Sequence, residues 1–149
     1  VYIGGKNFSL RALSDNFTDD EIADAVIYAH ARNVKIYVTV NIFARNNDFE
    51  KAAAYFRFLY NAGVDAVLIT DIGLIDLCKE VAPGLSIHLS TQANTLNKYS
   101  VKAWQNYGLK RVVLARELSL GEVGEIHSFV PGMERCAFHI AGVVCFPII

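Results

Sequence analysis

The sequence predicts an α/β fold in which parallel strands alternate with helices. Short apolar, β-branched runs recur along the chain, each followed by a polar cluster and then by apolar residues at helical spacing. The runs are continuously apolar, as in parallel strands that are buried on both faces. Their starts lie about 20 to 35 residues apart, which suits either a β/α barrel or an open, doubly wound sheet.

Six runs are predicted to form the strands. They cover residues 1–5, 35–41, 65–70, 86–90, 111–115 and 135–140. Valine, isoleucine, tyrosine and threonine are frequent in these runs, and such side chains pack well on a pleated surface.

Helices are predicted between the strands, and two of them have recognisable starts. Thr18 with Glu21, and Ser119 with Glu122, fit the Ser/Thr-x-x-Glu capping box, in which side chain and backbone satisfy each other's hydrogen bonds. Two glycines lie just before the following strands, where left-handed helix ends are expected: Gly63 and Gly108.

Length and charge indicate one domain without a global electrostatic signal. The 149 residues, 53% of them hydrophobic, predict a single domain over residues 1–149 with a large core. Fourteen basic and fifteen acidic residues give a net charge of −1. The overall charge therefore points to neither a nucleic acid nor an anionic membrane, although a local basic groove remains open.

Cysteine usage and hydropathy predict a cytoplasmic protein. The three cysteines are too few, and too irregularly spaced, for a disulfide framework, which favours a reducing compartment. No apolar run approaches the roughly 18 residues of a membrane span, so no membrane contact is expected. Because Val1 already lies in a strand-like run, the chain is expected to begin within a domain.

Polar side chains follow the predicted strands at their C-terminal ends, where parallel β/α folds bind their ligands. These residues are Lys6, Arg11, Thr39, Asn41, Thr70, Asp71, residues 90–94, Arg116, Glu117 and His139. Some also have a structural interpretation, since Asp71 and Ser90 are suitable helix caps and Arg116 with Glu117 suits an ion pair. The sequence leaves both interpretations open.

The cationic and amide side chains of this set suit a small anionic substrate. Lys6, Arg11 and Arg116 would bind its negative charge. Asn41 and Gln92 would add neutral hydrogen bonds, and Glu117 is expected either to orient Arg116 or to act as a base.

Motif searches give no independent indication of the chemistry. The sequence lacks phosphate-binding glycine loops, the H-E-x-x-H zinc motif and the G-x-S-x-G elbow. Ser90 has no evident histidine partner in the sequence, and the apolar surroundings of Cys145 would raise the pKa of its thiol.

Four segments resemble the opening half of the collagenase-like peptidases, peptidase family U32. They are YIGGKNFSLRALSDNFT (2–18), IYVTVNIFARNND (36–48), LSTQANTLN (89–97) and VVLARELSL (112–120). The resemblance runs from Tyr2 to about Val130 and implies a TIM-like (β/α) barrel of parallel strands. The family's first strand, which reads like LLAPAG, and its C-terminal part are absent, so a partial barrel is expected.

The resemblance implies two activities. Members of the family are described as peptidases of unknown catalytic type, and also as prephenate-dependent hydroxylases of tRNA, ribosomal RNA or a quinone precursor. Several members carry an iron–sulfur cluster on four cysteines. The expected partners are therefore a peptide or a small anionic substrate, with RNA as a further partner, and the implied cofactor of a full-length protein is the cluster.

The C-terminal stretch MERCAFHIAGVVCFPII (133–149) departs from the family pattern of a phenylalanine, a His-Gly pair and a cysteine. One alignment places Cys145 on the first family cysteine, which makes it an expected metal ligand, but puts Ala141 where histidine belongs. The other places His139 on the family histidine. The remaining cluster cysteines of the family have no counterpart here.

The interpretation favoured by the sequence is a collagenase-like peptidase, with the hydroxylase as the alternative and a non-catalytic binding module as a third hypothesis. The predicted catalytic residues are Arg116, Glu117 and His139. The predicted substrate-binding residues are Lys6, Arg11, Asn41, Ser90, Thr91 and Gln92, and the predicted metal ligand is Cys145. A partial barrel leaves strand edges unpaired, so a homo-oligomer is expected, and this stretch alone is expected to be inactive.

Overall fold

The computed structural model describes residues 1–10, 15–137 and 146–148. Strands and helices alternate along the chain and fall into two compact units, Val1–Ile87 and His88–Ile149. All six predicted strands are present, and each unit pairs its own strands in parallel. This confirms the predicted α/β fold class.

In its described residues, the first unit contains three parallel strands and three α-helices. In chain order they are β1 (Tyr2–Gly4), α1 (Asp19–His30), β2 (Tyr37–Val40), α2 (Phe49–Asn61), β3 (Ala66–Ile69) and α3 (Ile72–Val81). The central strand β2 pairs with β1 on one side and with β3 on the other, in parallel register. The C-terminal ends of these strands therefore lie at one edge.

The second unit repeats this pattern and ends with a reversed strand. Its elements are β4 (Ser86–Leu89), which crosses the boundary between the units, α4 (Lys98–Asn106), β5 (Arg111–Val113), α5 (Leu120–Phe129), β6 (Glu134–Ala137) and β7 (Phe146–Ile148). Strands β4, β5 and β6 are parallel, whereas β7 pairs antiparallel with β6. The sequence did not predict β7, because its three residues include Pro147, which cannot donate to a strand ladder.

The core of the first unit forms where the helices cover the strands. Val38 and Val40 of β2 are fully buried, as are Val67 and Ile69 of β3. The helices contribute Ile22, Val26, Phe56, Leu59, Leu74 and Ile75. Burying one such side chain contributes about 1.5 to 3 kcal/mol, so the apolar faces of these helices hold the unit together.

The second unit has its own apolar core and one buried arginine. Leu89, Val112 and Leu114 are fully buried along the β4 and β5 segments. Arg135 of β6 is 3% exposed. Its guanidinium donates to the carbonyls of Met133 and Val130 at 3.1 and 2.7 Å and lies 3.2 Å from the His127 ring. These contacts satisfy the hydrogen-bond donors of the buried guanidinium. Burial lowers the pKa of Arg135.

Both predicted capping boxes are present, which fixes where α1 and α5 begin. The amide of Thr18 donates to the Glu21 carboxylate at 2.7 Å, and the amide of Glu21 donates back to the Thr18 hydroxyl at 3.3 Å. Ser119 and Glu122 form the same pair of bonds at 2.8 and 3.3 Å. Gly63 and Gly108 have φ angles of 81° and 88°, the predicted left-handed helix ends.

Asp65 connects three elements of the first unit. Its Oδ2 atom accepts from the Ile36 amide at 2.8 Å and lies 2.9 Å from Nε2 of His30 at the end of α1. Partial burial acts to raise the pKa of Asp65, but the His30 and Ile36 hydrogen bonds and nearby positive charge outweigh it. The pKa therefore lies below its ordinary value.

Candidate functional site

In the first unit, the loop after β1 folds over the C-terminal end of β2. Asn41 holds this loop through two hydrogen bonds. Its backbone amide donates to the Phe8 carbonyl at 3.1 Å, and its side-chain oxygen accepts from the Leu10 amide at 3.2 Å. Thr39 adds a hydroxyl bond of 3.2 Å to the buried Ser9. The predicted substrate ligand Asn41 therefore has a structural task in this unit.

Beneath this loop lies a tyrosine that the sequence did not single out. Tyr55 of α2 is 5% exposed, and its hydroxyl is buried with no hydrogen-bond partner among the described residues. Burial, and secondarily the charge of Asp19, raises the pKa of this hydroxyl. The ring packs against Phe8, whose φ of 59° is uncommon for a bulky residue.

The position of this tyrosine requires a glycine at position 5. A Cβ atom at position 5 would collide with the Tyr55 hydroxyl, and its next neighbour would be Ile22 Cδ1 at 3.3 Å. The adjacent Lys6 is exposed and donates its backbone amide to the Phe17 carbonyl at 2.8 Å. The paired glycines thus permit a close approach of side chain and backbone.

In the second unit, the segment LSTQANTLN after β4 forms a compact turn. Ser90 is 4% exposed, and its hydroxyl accepts from the Gln92 amide at 3.4 Å, which caps a 3₁₀ turn over Thr91–Ala93. Asn94 follows with a left-handed φ of 52°. Of the three predicted ligands, Gln92 is exposed, Thr91 is half-buried and Ser90 serves as the cap.

The same turn buries Thr95 beside the segment that follows β5. Thr95 is 1% exposed, and its carbonyl accepts from the Ala115 amide at 3.1 Å. Its hydroxyl has no hydrogen-bond partner in the part of the chain that the structure describes. Thr95 was not predicted as a site residue. Its position within LSTQANTLN, a segment that resembles the family, could have indicated it.

The segments LSTQANTLN and VVLARELSL meet at one edge of the second unit. Strands β4 and β5 are parallel and pair Leu89 with Val112, so Gln92 and Arg116 both follow the C-terminal ends of neighbouring strands. Arg116 and Glu117 are exposed. Within residues 88–137, neither has an ion pair or a hydrogen bond, so the suggested Arg116–Glu117 pair does not form.

An apolar groove of about 850 Å³ lies elsewhere, along α1 and β1 of the first unit. Ile3, Phe17, Ala25 and Tyr28 line it. Among the predicted site residues that the structure describes, Lys6 alone contributes to its wall. The groove and the strand ends of the second unit are therefore different features of the molecule.

The described residues supply no metal centre. No three histidine, cysteine, aspartate or glutamate side chains converge anywhere in residues 1–10 and 15–135. Cys78 is fully buried in α3, and burial raises the pKa of its thiol to about 12, so it serves as an apolar core residue. The predicted residues Arg11, His139 and Cys145 lie outside the described residues.

Among the described residues, no helix is both long and apolar enough to cross a lipid bilayer.

Comparison with known proteins identifies the family. The sequence model of peptidase family U32 matches residues 1–148. The chain belongs to peptidase family U32. This confirms the resemblance inferred from the four sequence segments.

Two curated relatives in the family are named for RNA hydroxylation. "tRNA hydroxylation protein P1" of Bacillus subtilis (strain 168) is 42% identical over 146 residues, covering 93% of this chain and 35% of that protein. "23S rRNA 5-hydroxycytidine C2501 synthase" of Escherichia coli (strain K12) is 34% identical over 145 residues, covering 97% and 21%. The chain thus spans about a third or less of these relatives.

A solved structure supports the fold. The U32 peptidase Mk0906 matches 97% of this chain and 61% of its own, with a TM-score of 0.75 and 16% sequence identity. The predicted fold, a partial β/α barrel of parallel strands, fits this likeness.

The predicted main activity, a collagenase-like peptidase and hydrolase, is wrong. The relatives at 42% and 34% identity are named for hydroxylation of RNA. Two side chains considered as nucleophiles have structural roles among the described residues. The Ser90 hydroxyl is buried as a cap, and Cys78 holds its proton in the core.

Proposed function

We propose that this chain belongs to a protein that hydroxylates a nucleoside in RNA. The observation that carries the proposal is the 42% identity, over 146 residues, to a protein named for tRNA hydroxylation. A second relative, named for the synthesis of 5-hydroxycytidine in 23S rRNA, supports the same class of reaction on a different RNA. The common element is a base of RNA that gains a hydroxyl group.

The edge formed after β4 and β5 supports this chemistry. Arg116 presents an exposed guanidinium that no described acidic group occupies, and guanidinium forks bind carboxylate and phosphate groups in a bidentate manner. Gln92 lies at the same edge and supplies an amide. In the proposal these two side chains hold a small anionic co-substrate such as prephenate, which the family resemblance implies.

Glu117 is proposed to move a proton at this edge. Its carboxylate is exposed and lies next to Arg116 in the sequence. A carboxylate that is free of ion pairs can accept a proton from a bound substrate, because its lone pairs are not committed to another group. Lys6, Arg11, Asn41 and His139 stay predicted contributors from other segments.

The proposal assigns no iron–sulfur cluster to the described residues. A cluster needs converging thiolates, and the thiol of Cys78 is held in the apolar core. If Cys145 is a ligand, as the family alignment implies, the other ligands are not among the described residues. Because its substrate is RNA, the proposed enzyme works in the cytoplasm, in agreement with the cysteine usage.

The decisive experiment measures modified nucleosides in cells. Deleting the gene should remove one hydroxylated nucleoside from digested tRNA or ribosomal RNA, as detected by mass spectrometry, and the wild-type protein should restore it. Arg116→Ala should restore it at least about 30-fold less efficiently, the lower end of 2 to 5 kcal/mol for a lost charged contact. Gln92→Ala should restore it at least about 10-fold less efficiently, as for a lost hydrogen bond of about 1.5 kcal/mol to a charged group. Lys51→Ala, an exposed change on α2, is the matched control and should restore it fully.

Two results would overturn the proposal. An unchanged nucleoside profile in the deletion strain would show that the protein does not hydroxylate RNA. If that protein still bound RNA, the binding-module hypothesis would replace the enzyme. Full restoration by Arg116→Ala and Gln92→Ala, with melting temperatures equal to wild type, would place the substrate site elsewhere.

A further inference from the structure

The basic residues of this chain are not evenly distributed. Between Glu80 and Glu117 the sequence contains no aspartate or glutamate. The same stretch carries five basic residues: Lys98, Lys102, Lys110, Arg111 and Arg116. A chain with a net charge of −1 therefore contains a purely basic segment, and most of it lies in the second unit.

Two of these lysines flank an exposed aromatic pair on the surface of α4 and α5. Tyr99 is 68% exposed and Phe129 is 38% exposed, and their ring centroids lie 5.1 Å apart in an edge-to-face arrangement. The ammonium group of Lys98 lies 5.1 Å from the Phe129 ring centroid, and that of Lys102 lies 5.8 Å from it. These four residues form what we call the α4–α5 cluster.

The lysines of the α4–α5 cluster keep their charges available. Throughout the described part of the second unit, no carboxylate lies within ion-pair distance of Lys98 or Lys102. Their contacts are with the face of an aromatic ring, which orients an ammonium group without neutralising it. Tyr99 is mostly exposed, so its ring contributes little to the core of the unit.

We infer that the α4–α5 cluster is a docking surface for RNA. Lysines that neutralise phosphates, together with exposed rings on which bases stack, are the two components by which proteins hold single-stranded nucleic acid. The inference rests on the proposed function, which requires an RNA, and adds where the RNA is held. An acidic protein would pair with the two lysines, but it has no bases to stack on the aromatic rings.

The position of the cluster agrees with this role. Asn97, the last residue of LSTQANTLN, caps α4 through a 2.9 Å bond to the Ser100 amide, and Lys98 follows it directly. RNA bound at the α4–α5 cluster would thus lie on the helix that continues from the Gln92 turn. The segment LSTQANTLN, which resembles the family, therefore ends directly before the first lysine of the α4–α5 cluster.

Binding to a labelled RNA tests the inference. The probe is a fluorescent, mixed-sequence single-stranded RNA of about 16 nucleotides, the upper size of a single site in known single-strand binders. Lys98→Ala combined with Lys102→Ala should weaken binding and reduce the slope of log K against log salt by about 1.4, or 0.7 for each phosphate contact. Tyr99→Ala, which removes the more exposed ring and leaves both lysine contacts with Phe129 in place, should weaken binding by roughly 5- to 150-fold without changing the slope.

The matched control removes two exposed cations from a helix of the other unit. Lys51→Ala combined with Arg57→Ala on α2 should leave both the affinity and the salt slope unchanged. Each variant is first checked for an unchanged circular dichroism spectrum, so that lost binding is not lost folding.

The outcomes separate this inference from the proposed function. If the wild-type protein binds the RNA and all variants bind equally, the docking surface is wrong while the proposed hydroxylase stands. If the wild-type protein binds no RNA, the docking surface is overturned, and the proposed hydroxylase is decided separately by the nucleoside profile of the deletion strain. If polyglutamate displaces the RNA at equal charge concentration and Tyr99→Ala has no effect, the surface binds an acidic protein instead.

Discussion

The contact between Gly5 and Tyr55 yields a prediction in which two substitutions are coupled. An alanine at position 5 would push its Cβ atom into the Tyr55 hydroxyl, which is buried and cannot move away into solvent. Overpacking of this kind costs about 1 to 3 kcal/mol. Gly5→Ala should therefore lower the free energy of unfolding by about 2 kcal/mol.

Removing the hydroxyl should have the opposite effect. Tyr55→Phe deletes a buried polar group that has no partner among the described residues, so it should raise the free energy of unfolding by about 1 kcal/mol or more. In this background an alanine at position 5 would next meet Ile22 Cδ1 at 3.3 Å, the end of a flexible side chain. Gly5→Ala should then cost less than about 1 kcal/mol, which gives a coupling energy of about 1 to 2 kcal/mol.

Urea denaturation of the four proteins in this cycle measures the coupling. With slopes of about 1 to 3 kcal/mol per molar urea, a change of 2 kcal/mol shifts the midpoint by about 1 M. Gly124→Ala is the control, because a Cβ there meets nothing within 4 Å and should stabilise α5 by up to about 1 kcal/mol. An equal cost of Gly5→Ala in both backgrounds would refute the reasoning.

Three further predictions concern stability and reactivity. Asp65→Asn should lower the free energy of unfolding at pH 7 by about 1 to 2 kcal/mol, because the pKa of Asp65 is depressed in the folded state. That difference should shrink in pH-dependent melting curves below about pH 4, since the contribution of a depressed carboxyl pKa is lost as the group protonates. Asp71→Ala removes the 2.9 Å cap to Leu74 and should cost about 1 kcal/mol in urea denaturation, with Glu80→Ala, an exposed residue of the same helix, as a control for lost charge. Cys78 should resist iodoacetamide at pH 8 until urea unfolds the protein, as followed by peptide mass mapping, because its thiol pKa is about 12; labelling in the native state would contradict its burial.

Much of the fold follows from short stretches of sequence. The capping boxes at Thr18 and Ser119, and the left-handed Gly63 and Gly108, depend on interactions within three or four residues, so the sequence alone determines them. Strand positions follow from apolar runs for the same reason. Strand direction does not follow from the sequence. The antiparallel direction of β7, for example, is defined only by its pairing with β6.

The sequence predicted where the candidate residues lie relative to the strands, but not the state of each side chain. The sequence placed Gln92 and Arg116 beyond neighbouring strands, and the parallel pairing of β4 and β5 confirms this. It did not show that the Ser90 hydroxyl caps a turn, or that Asn41 holds the loop after β1. A hydrogen-bonding side chain suits a cap and a ligand equally well, and the choice depends on which backbone amide comes within reach.

Only the tertiary structure decided the contacts between segments distant in sequence. The close approach of Tyr55 to Gly5, the burial of Thr95 beside Ala115, and the meeting of Phe129 with Lys98 each join residues at least 20 positions apart. Local conformational preferences extend over one turn of helix or one strand, whereas these contacts depend on how whole elements pack. The sequence therefore determined the elements and their caps, and packing determined which polar and aromatic groups were left available to bind.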